Sequence, residues 1–177
     1  MKKYLLFFLI VFNSISFPQI SEFGIGAGLG LGSIKGNLPS QTALNGGLVF
    51  EFPSIFDDFY SFQLSIQYAQ KVERFLPENR IGRYYPFIKF ITLKPVIRQF
   101  FNNNFYTEEG LGLVYLNDRT YSDYDTWNYG MSLHLLGGIN INNSFDLGLK
   151  IDYGLTFNNT TASYFLVTAQ GVYKFQL

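Results

Sequence analysis

Ser132 and His134 are the two residues of this sequence whose types and spacing could support nucleophilic catalysis. They flank Leu133 in a segment of alternating polar and apolar residues, and residues two apart on a β-strand point to the same face. A hydroxyl and an imidazole on one face can form a nucleophile–base pair, which also needs a third group to orient the base. No spacing in the sequence assigns a carboxylate to that role, so we expect a hydrogen-bonded structural histidine rather than a catalytic base.

The rest of the composition excludes several other kinds of chemistry. The 177 residues include one His and no Cys, and 13 Lys and Arg residues balance 13 Asp and Glu residues. Disulfide and thiolate chemistry are therefore excluded, and carboxylates are left as the main metal ligands. Asp118, Asp123 and Asp125 could attract a cation, but their spacing is not that of an EF-hand. The neutral charge balance gives no electrostatic case for nucleic acid, and we expect no cofactor and no metal.

The elements that position these residues are β-strands, and segment 145–157 shows the pattern most clearly. It reads F-D-L-G-L-K-I-D-Y-G-L-T-F, with apolar or aromatic residues at every odd position and charged residues, Gly or Thr at every even position. This period of two predicts a strand with one apolar face and one polar face. Its 13 residues are long for a globular strand and suit a tilted membrane-crossing strand, which needs roughly 9–11 residues.

The same alternation recurs along the chain and predicts eight strands. Their predicted bounds are 23–33, 43–52, 59–71, 87–100, 105–116, 127–141, 145–157 and 162–177. Pro95 removes one ladder donor, so we expect a bulge or a locally broken pairing in the fourth strand. Glu109 falls on the apolar face of the fifth strand, which requires a bulge near Thr107 or a position close to a membrane interface.

The first 19 residues predict a secretory signal peptide. Lys2 and Lys3 precede a short apolar run, and the small residues Ser14 and Ser16 follow it. We expect cleavage between residues 16 and 19 and one β-barrel domain over residues 20–177. No other segment approaches the ~18 consecutive apolar residues of a membrane-spanning helix. Membrane insertion of the mature chain would therefore require a closed barrel, in which every strand is paired.

Alternation alone does not decide whether the apolar face surrounds a ligand inside a secreted barrel or contacts lipid outside. Three features favour lipid contact. Aromatic residues concentrate at both ends of the apolar faces, as in interfacial girdles. Connections alternate between short turns at Pro53, Asn102 and Asn142 and mostly longer loops. Glycine-rich polar faces suit a crowded interior better than a solvated exterior.

With these features the sequence resembles the small eight-stranded outer-membrane proteins of the OmpA, OmpX and OmpW type, and more closely the outer-membrane β-barrel domain proteins of Bacteroidetes-like bacteria. The resemblance rests on the signal peptide, the eight amphipathic strands and the ending G-V-Y-K-F-Q-L. That ending is similar to the family's assembly signal, with aromatic residues at Tyr173 and Phe175, although Leu177 stands where Phe is usual.

The resemblance implies an all-β, transmembrane, up-and-down antiparallel barrel of eight strands in the outer membrane of a Gram-negative bacterium. It also implies a monomer that contacts outer-membrane lipid and the outer-membrane assembly machinery. The expected function is non-enzymatic, with a structural, surface-contact or accessory transport or secretion role. Two alternatives stay open: a lipid-modifying enzyme that uses Ser132 and His134, as some barrels of this architecture do, and a soluble secreted barrel that binds an apolar ligand.

The polar faces bring charged side chains together inside the predicted barrel. Burial of a charge costs several kcal/mol unless it is paired, so we predict ion pairs and a plugged polar lumen. If the hairpin of strands four and five is centred on Asn103, Arg98 faces Glu108. If the last hairpin is symmetric about Thr160, Asp146 faces Lys174. The predicted interior charges are Glu51, Lys71, Lys94, Arg98, Glu108, Asp146, Lys150, Asp152 and Lys174.

Two loops are the remaining place for a specific function. Segments 73–85 and 117–125 mix Tyr, Arg and acidic residues, a composition suited to recognition on a rigid scaffold. A solvated surface loop without a ligand is the alternative. We assign no ligand to these loops. The candidate recognition residues are Arg80, Arg83, Tyr84, Arg119, Tyr121 and Tyr124.

Overall fold

The computed structural model describes residues 22–36, 39–53, 60–77, 82–102, 104–123, 125–142 and 144–176. Eight antiparallel strands follow one another in chain order, and the last pairs with the first to close a barrel. The expected up-and-down eight-stranded fold is therefore confirmed. The predicted signal peptide lies outside the described residues. The strands are β1 (Glu22–Lys35), β2 (Gln41–Pro53), β3 (Tyr60–Lys71), β4 (Phe87–Phe100), β5 (Phe105–Arg119), β6 (Thr126–Asn142), β7 (Phe145–Thr156) and β8 (Ser163–Gln176).

The connections define two ends of the barrel. At one end, here called the loop end, β1 joins β2, β3 joins β4, β5 joins β6 and β7 joins β8. A short 3₁₀ helix, Val72–Phe75, follows β3 there. The opposite end, the turn end, carries the other three connections. Within the described residues no helix is both long and apolar enough to cross a membrane.

The largest differences from the predicted strand bounds and register are in β5 and in the last hairpin. β5 continues to Arg119, so the first residues of the predicted loop 117–126 are strand. In the last hairpin Leu155 pairs with Ser163, which shifts the register by two residues from symmetry about Thr160. The turn is centred on Asn159, whose φ of 56° lies in the left-handed region that Asn tolerates better than most residues.

The structure also shows how the strands accommodate Pro95 and Glu109, the two residues that did not fit the predicted strand pattern. Leu93 pairs with Leu113 and Val96 with Gly110, but the β4–β5 ladder is interrupted between them, at Pro95. The pairing is locally broken without a bulge, because the register is the same on both sides. The bulge suggested near Thr107 is wrong, since β5 keeps one register with β4 and with β6. The Glu109 side chain is exposed on the outer face.

Side chains alternate between the outer and inner faces as the sequence pattern predicted. Leu147 and Leu149 are 39% and 58% exposed on the outer face. Lys150 and Asp152, which follow them on β7, are only 3% and 0% exposed. The apolar faces thus surround the barrel and the charged side chains fill it. Bare glycine positions make room inside: a Cβ on Gly110 would lie 2.8 Å from Cε1 of His134.

The interior is not polar along its whole length, which the sequence analysis did not anticipate. At the loop end the inward positions of several strands are apolar and form a buried cluster. The rings of Phe90 and Tyr164 stack there with centroids 4.2 Å apart. The cluster consists of Ile34, Ala43, Ala69, Ile88, Phe90, Val114, Leu116, Ala162, Tyr164 and Leu166. Apart from Asp118 at the loop end of β5, the buried charged side chains of the described residues lie in the middle of the barrel and at its turn end.

Candidate functional sites in the interior and at the loop end

Asp152 is the centre of a buried polar cluster in the middle of the barrel, here called the Asp152 cluster. The Lys94 ammonium donates to both carboxylate oxygens, at 3.1 and 2.9 Å. Ser132 Oγ donates to Oδ1 at 2.9 Å, and Tyr164 donates to Ser132 Oγ at 3.0 Å. Lys150 Nζ lies 3.8 Å from Oδ2. Two ammonium groups therefore share one carboxylate in a buried site.

His134 does not form the hydrogen bond that the sequence analysis predicted. It is 1% exposed, and neither Nδ1 nor Nε2 has a hydrogen-bond partner among the described residues. Asp152 is directly opposite His134 in the β6–β7 ladder, so the missing carboxylate of the Ser–His pair is close by. That carboxylate, however, accepts hydrogen bonds from Ser132 and Lys94. The Ser132 proton is thus directed to Asp152 and not to an imidazole base.

Arg98 is the centre of a second buried group at the turn end, here called the Arg98 cluster. Arg98 Nε donates to Glu108 at 2.7 Å, and a second hydrogen bond joins Nη2 to the same carboxylate. Nη1 reaches Asp146 and Nη2 reaches Glu51, each at 3.2 Å. The Gln63 amide bridges Glu51 and Glu108 at 2.9 and 3.0 Å. One guanidinium therefore binds three carboxylates, which suits its fork of fixed donors.

The structure brings eight of the nine predicted interior charges into these two clusters, whereas Lys71 pairs with Glu73 at the loop end. Arg98 lies opposite Glu108 in the ladder and contacts it. Lys174 Nζ lies 2.8 Å from Asp146 Oδ2, although Asp146 pairs with Val172 in the ladder. The contact survives the two-residue shift because a shift by an even number keeps both side chains on the same face. The distance between Lys150 Nζ and Asp152 Oδ2 is longer, at 3.8 Å.

Sequence reasoning did not predict several of the contacts within these clusters. Alternation placed Lys94 and Glu51 in the interior, but their contacts with Asp152 and Arg98 join strands that are not neighbours. Gln63 and Tyr164 carry no charge and gave no signal beyond their inward phase. Within the described residues, no group of three or more His, Cys, Asp or Glu side chains is arranged to hold a metal ion.

A cleft of about 240 Å³ opens at the loop end, between the ends of β3, β4 and β5. Lys71 Nζ pairs with Glu73 at 3.0 Å, and an Arg83 nitrogen lies 3.9 Å from the other Glu73 oxygen. The Tyr84 hydroxyl donates to the Arg119 carbonyl at 2.5 Å and so ties the β3–β4 loop to β5. The residues that line the cleft include Lys71, Glu73, Arg83, Tyr84, Tyr85 and Tyr121.

The structure describes four of the six predicted loop residues, and three of them line this cleft. Arg83, Tyr84 and Tyr121 line the cleft, whereas Arg80 and Tyr124 lie outside the described residues. Arg119 pairs with Asp125 at 2.8 Å. The Asn117 amide, together with Arg119, holds the pKa of the Asp125 carboxyl below its usual value.

The three carboxylates of the 117–125 loop that could bind a cation form hydrogen bonds or an ion pair with other residues of the loop. Asp118 is buried, and one of its oxygens accepts hydrogen bonds from the Thr120 amide at 2.9 Å and from the Thr120 hydroxyl at 2.7 Å. Asp123 accepts a hydrogen bond from Ser122 at 3.0 Å. These contacts, with the Arg119–Asp125 ion pair, stabilise the loop through its own residues.

Comparison with known proteins identifies the fold. No protein-family model and no curated protein matches the sequence. Among solved structures, Neisserial surface protein A matches with a TM-score of 0.65 and 12% identity, over 86% of this chain and 97% of that one. Pseudomonas aeruginosa OprG matches with a TM-score of 0.56 and 16% identity, over 89% and 97%.

The attachment invasion locus protein Ail of Yersinia pestis matches with a TM-score of 0.55 and 12% identity, over 88% of this chain and 99% of that one. At these identities the likeness concerns the fold. The chain therefore has the fold of the small eight-stranded outer-membrane β-barrel proteins.

Proposed function

We propose that the chain is a non-enzymatic integral protein of the outer membrane, with a closed interior and with its contacts to other molecules at the loop end. The observation that carries this proposal is the apolar outer face. Leu29, Leu113 and Leu149, on three different strands, are 74%, 68% and 58% exposed. A soluble protein rarely exposes an apolar patch larger than a few hundred Å², and here the exposed apolar side chains surround a closed barrel.

Aromatic residues at both ends of the outer face support the same orientation. Near the loop end the Tyr115 ring stacks on Trp127 and on Tyr129, with centroids 4.5 and 4.7 Å apart. Near the turn end Phe23 contacts Phe52, with centroids 5.2 Å apart. Aromatic girdles of this kind lie at the two lipid–water interfaces of membrane barrels. We place Glu109, which is exposed in the turn-end half of β5, close to the second interface.

The packing of the interior supports a plugged lumen and a structural role for it. The apolar cluster, the Asp152 cluster and the Arg98 cluster follow one another along the barrel axis. An eight-stranded barrel encloses a space that side chains can fill completely. The burial of Ser132 and His134 also argues against the lipid-modifying alternative, because an acyl substrate would have to reach a hydroxyl that is engaged with Asp152.

The cleft at the loop end is our proposed site of surface contact. The matched structures include a surface protein and an attachment and invasion protein, and the names of the three compared proteins describe no enzyme. Arg83, Tyr84 and Tyr121 offer charge and aromatic surface in that cleft. We further propose export through a cleaved signal peptide and assembly of a monomer through the last strand, where Tyr173 and Phe175 are exposed on the outer face.

Fractionation of cells expressing the full chain tests this proposal. We expect recovery with the outer membrane, loss of the first ~19 residues and a faster-migrating folded form on gels that boiling abolishes. Recovery of a folded protein in the aqueous fraction would contradict the proposal and favour a soluble barrel.

A further inference from the structure

A small cavity lies in the interior of the barrel, against the wall formed by β1, β2 and β8. Gly28 pairs with Gly47 across the β1–β2 ladder, so neither strand places a side chain in the interior at this level. Gln67 pairs with Gly47 on one side, Gln170 pairs with Gly28 on the other, and both glutamines are buried. The cavity has a volume of about 10 Å³, enough for one water-sized group, and is here called the glycine cavity.

Three buried side chains that line the glycine cavity have donors left for a ligand. Lys150 is 3% exposed, and its ammonium lies 3.8 Å from Asp152 Oδ2, beyond hydrogen-bond distance. Gln170 is also 3% exposed, and its amide forms no hydrogen bond with the rest of the described chain. Thr168 Oγ1 accepts a hydrogen bond from Asn45 at 3.0 Å, which leaves its own proton to donate. An ammonium, an amide and a hydroxyl therefore surround one space.

The charge of the Asp152 cluster favours an anion in this position. Lys94 and Lys150 bring two positive charges to one carboxylate, which leaves an excess of one positive charge. The side chains of Lys94, Lys150 and Asp152 are only 2%, 4% and 0% exposed, so this excess is buried. His134, opposite Asp152 in the ladder, would add to the excess if it were protonated. Burial of an uncompensated charge is costly, and an anion beside Lys150 removes that cost.

The Arg98 cluster has the opposite excess but does not compensate for this one directly. Its three carboxylates contact two cations, Arg98 and Lys174, and within the described residues no ion pair joins the two clusters. The Arg98 and Lys174 side chains keep 12% and 14% of their surface exposed. Water can therefore solvate the charges of the Arg98 cluster, whereas the excess charge of the Asp152 cluster needs a partner in the interior.

We propose that the glycine cavity binds one monovalent anion of halide size, such as chloride, with Lys150, Thr168 and Gln170 as its ligands. A water molecule would also fit, but it would leave the positive charge of Lys150 without a counter-charge. Chloride is slightly larger than water, and the unbranched side chains of Lys150 and Gln170 can adjust to it. Phosphate and sulfate are too large for the cavity. The bound anion would complete the closed interior and stabilise the folded barrel.

Unfolding of the full chain by urea, in vesicles of neutral lipid, tests the inference. Chloride replaces gluconate at constant ionic strength, because gluconate is too large for the glycine cavity. A ligand that binds only the folded state raises the ratio of folded to unfolded protein in proportion to its concentration once the site is saturated. We expect this ratio to rise about tenfold between about 0.05 and 0.5 M chloride.

Two variants and a control locate the chloride effect. Lys150→Met removes the positive charge and keeps the length of the side chain, while Lys94 still compensates Asp152, so it should fold and lose the chloride response to within about twofold. Gln170→Leu keeps the charge and removes one donor, so the chloride concentration for half the effect should rise about tenfold. The matched control is Lys174→Met, which removes an interior cation outside the glycine cavity and should keep the full response.

Crystals grown with bromide in place of chloride give a second measurement, which does not depend on the folding of any variant. An anomalous peak in contact with Lys150 Nζ and the Gln170 amide would support the anion site. A water molecule without anomalous signal at that place, no chloride response of the unmodified protein, or an equal response in Lys150→Met would overturn it. Loss of the anion site would leave membrane insertion unaffected, so its failure is distinguishable from failure of the proposed function.

Discussion

The Lys94 ammonium on β4 donates hydrogen bonds to both Oδ1 and Oδ2 of Asp152 on β7, across the interior of the barrel. The two strands are not neighbours, so this contact holds together parts of the wall that no backbone ladder joins. Lys150 reaches the same carboxylate, with its Nζ 3.8 Å from Oδ2, and among the described residues it has no other ion pair. The stability of the barrel should therefore depend strongly on Asp152.

Asp152→Asn should destabilise the folded barrel by about 3–5 kcal/mol, because it leaves two buried ammonium groups without a compensating charge. Denaturant unfolding in lipid vesicles measures the change. Asp125→Asn is the matched control, since Asp125 is an exposed carboxylate paired with one arginine, and its effect should be much smaller. Similar small losses in both variants would show that the Asp152 cluster is not a stabilising centre.

Arg98→Gln should also cost about 3–5 kcal/mol near neutral pH, because three carboxylates lose their common cation. Denaturant unfolding in lipid vesicles at neutral pH measures the change.

Lys174→Gln is the control for Arg98, because Lys174 contacts only Asp146 of the three carboxylates. Its effect should therefore be smaller. Equal, small losses in Arg98→Gln and Lys174→Gln would contradict the ion-pair interpretation of the Arg98 cluster.

The packed interior should not conduct ions. In planar bilayers we expect no single-channel steps from the unmodified protein. Phe90→Ala combined with Tyr164→Ala removes the stacked pair that fills the loop end, and we expect it to admit water and raise ion leakage. Tyr129→Ala, at an aromatic position of the outer face, should leave conductance unchanged. Steady steps from the unmodified protein would contradict a plugged lumen.

Ser132 and His134 should differ in their contribution to stability. His134→Leu removes no hydrogen bond formed by the described residues, so the change should stay within about 1.5 kcal/mol. Ser132→Ala removes the hydrogen bonds to Asp152 and Tyr164 and should cost about 1–3 kcal/mol. Neither variant should alter the lipid A of expressing cells, and a change in lipid A in both would support the enzyme alternative.

The fold was predictable because one face of each strand is apolar and a period of two leaves few other solutions. Segment 145–157 shows this pattern without an exception, and β7 occupies Phe145–Thr156. The sequence also indicated which charges lie inside, since Lys150 and Asp152 share the inward phase. Strand register was harder to predict. The register of the last hairpin depends on the backbone conformation of Asn159, which the alternation of apolar and polar residues does not determine.

Contacts between strands that are distant in the barrel could not be predicted. The approach of Lys94 to Asp152, and of Arg98 to Asp146, depends on the curvature and stagger of the closed wall. Within the part of the chain that the structure describes, His134 has no hydrogen-bond partner for the same reason, because its neighbour Asp152 accepts hydrogen bonds from a lysine of another strand.

Contact between the outer face and lipid is the central claim of this account, and one substitution tests it most directly. Leu149→Arg places a cation in the middle of β7, on the outer face, and Thr42→Arg places one on the outer face close to the loop end of β2. In lipid vesicles, the free energy of unfolding should fall by about 2–4 kcal/mol for Leu149→Arg and by only about 0–1 kcal/mol for Thr42→Arg. Equal, small losses for both variants would contradict the claim, because they are the result expected of a face exposed to water.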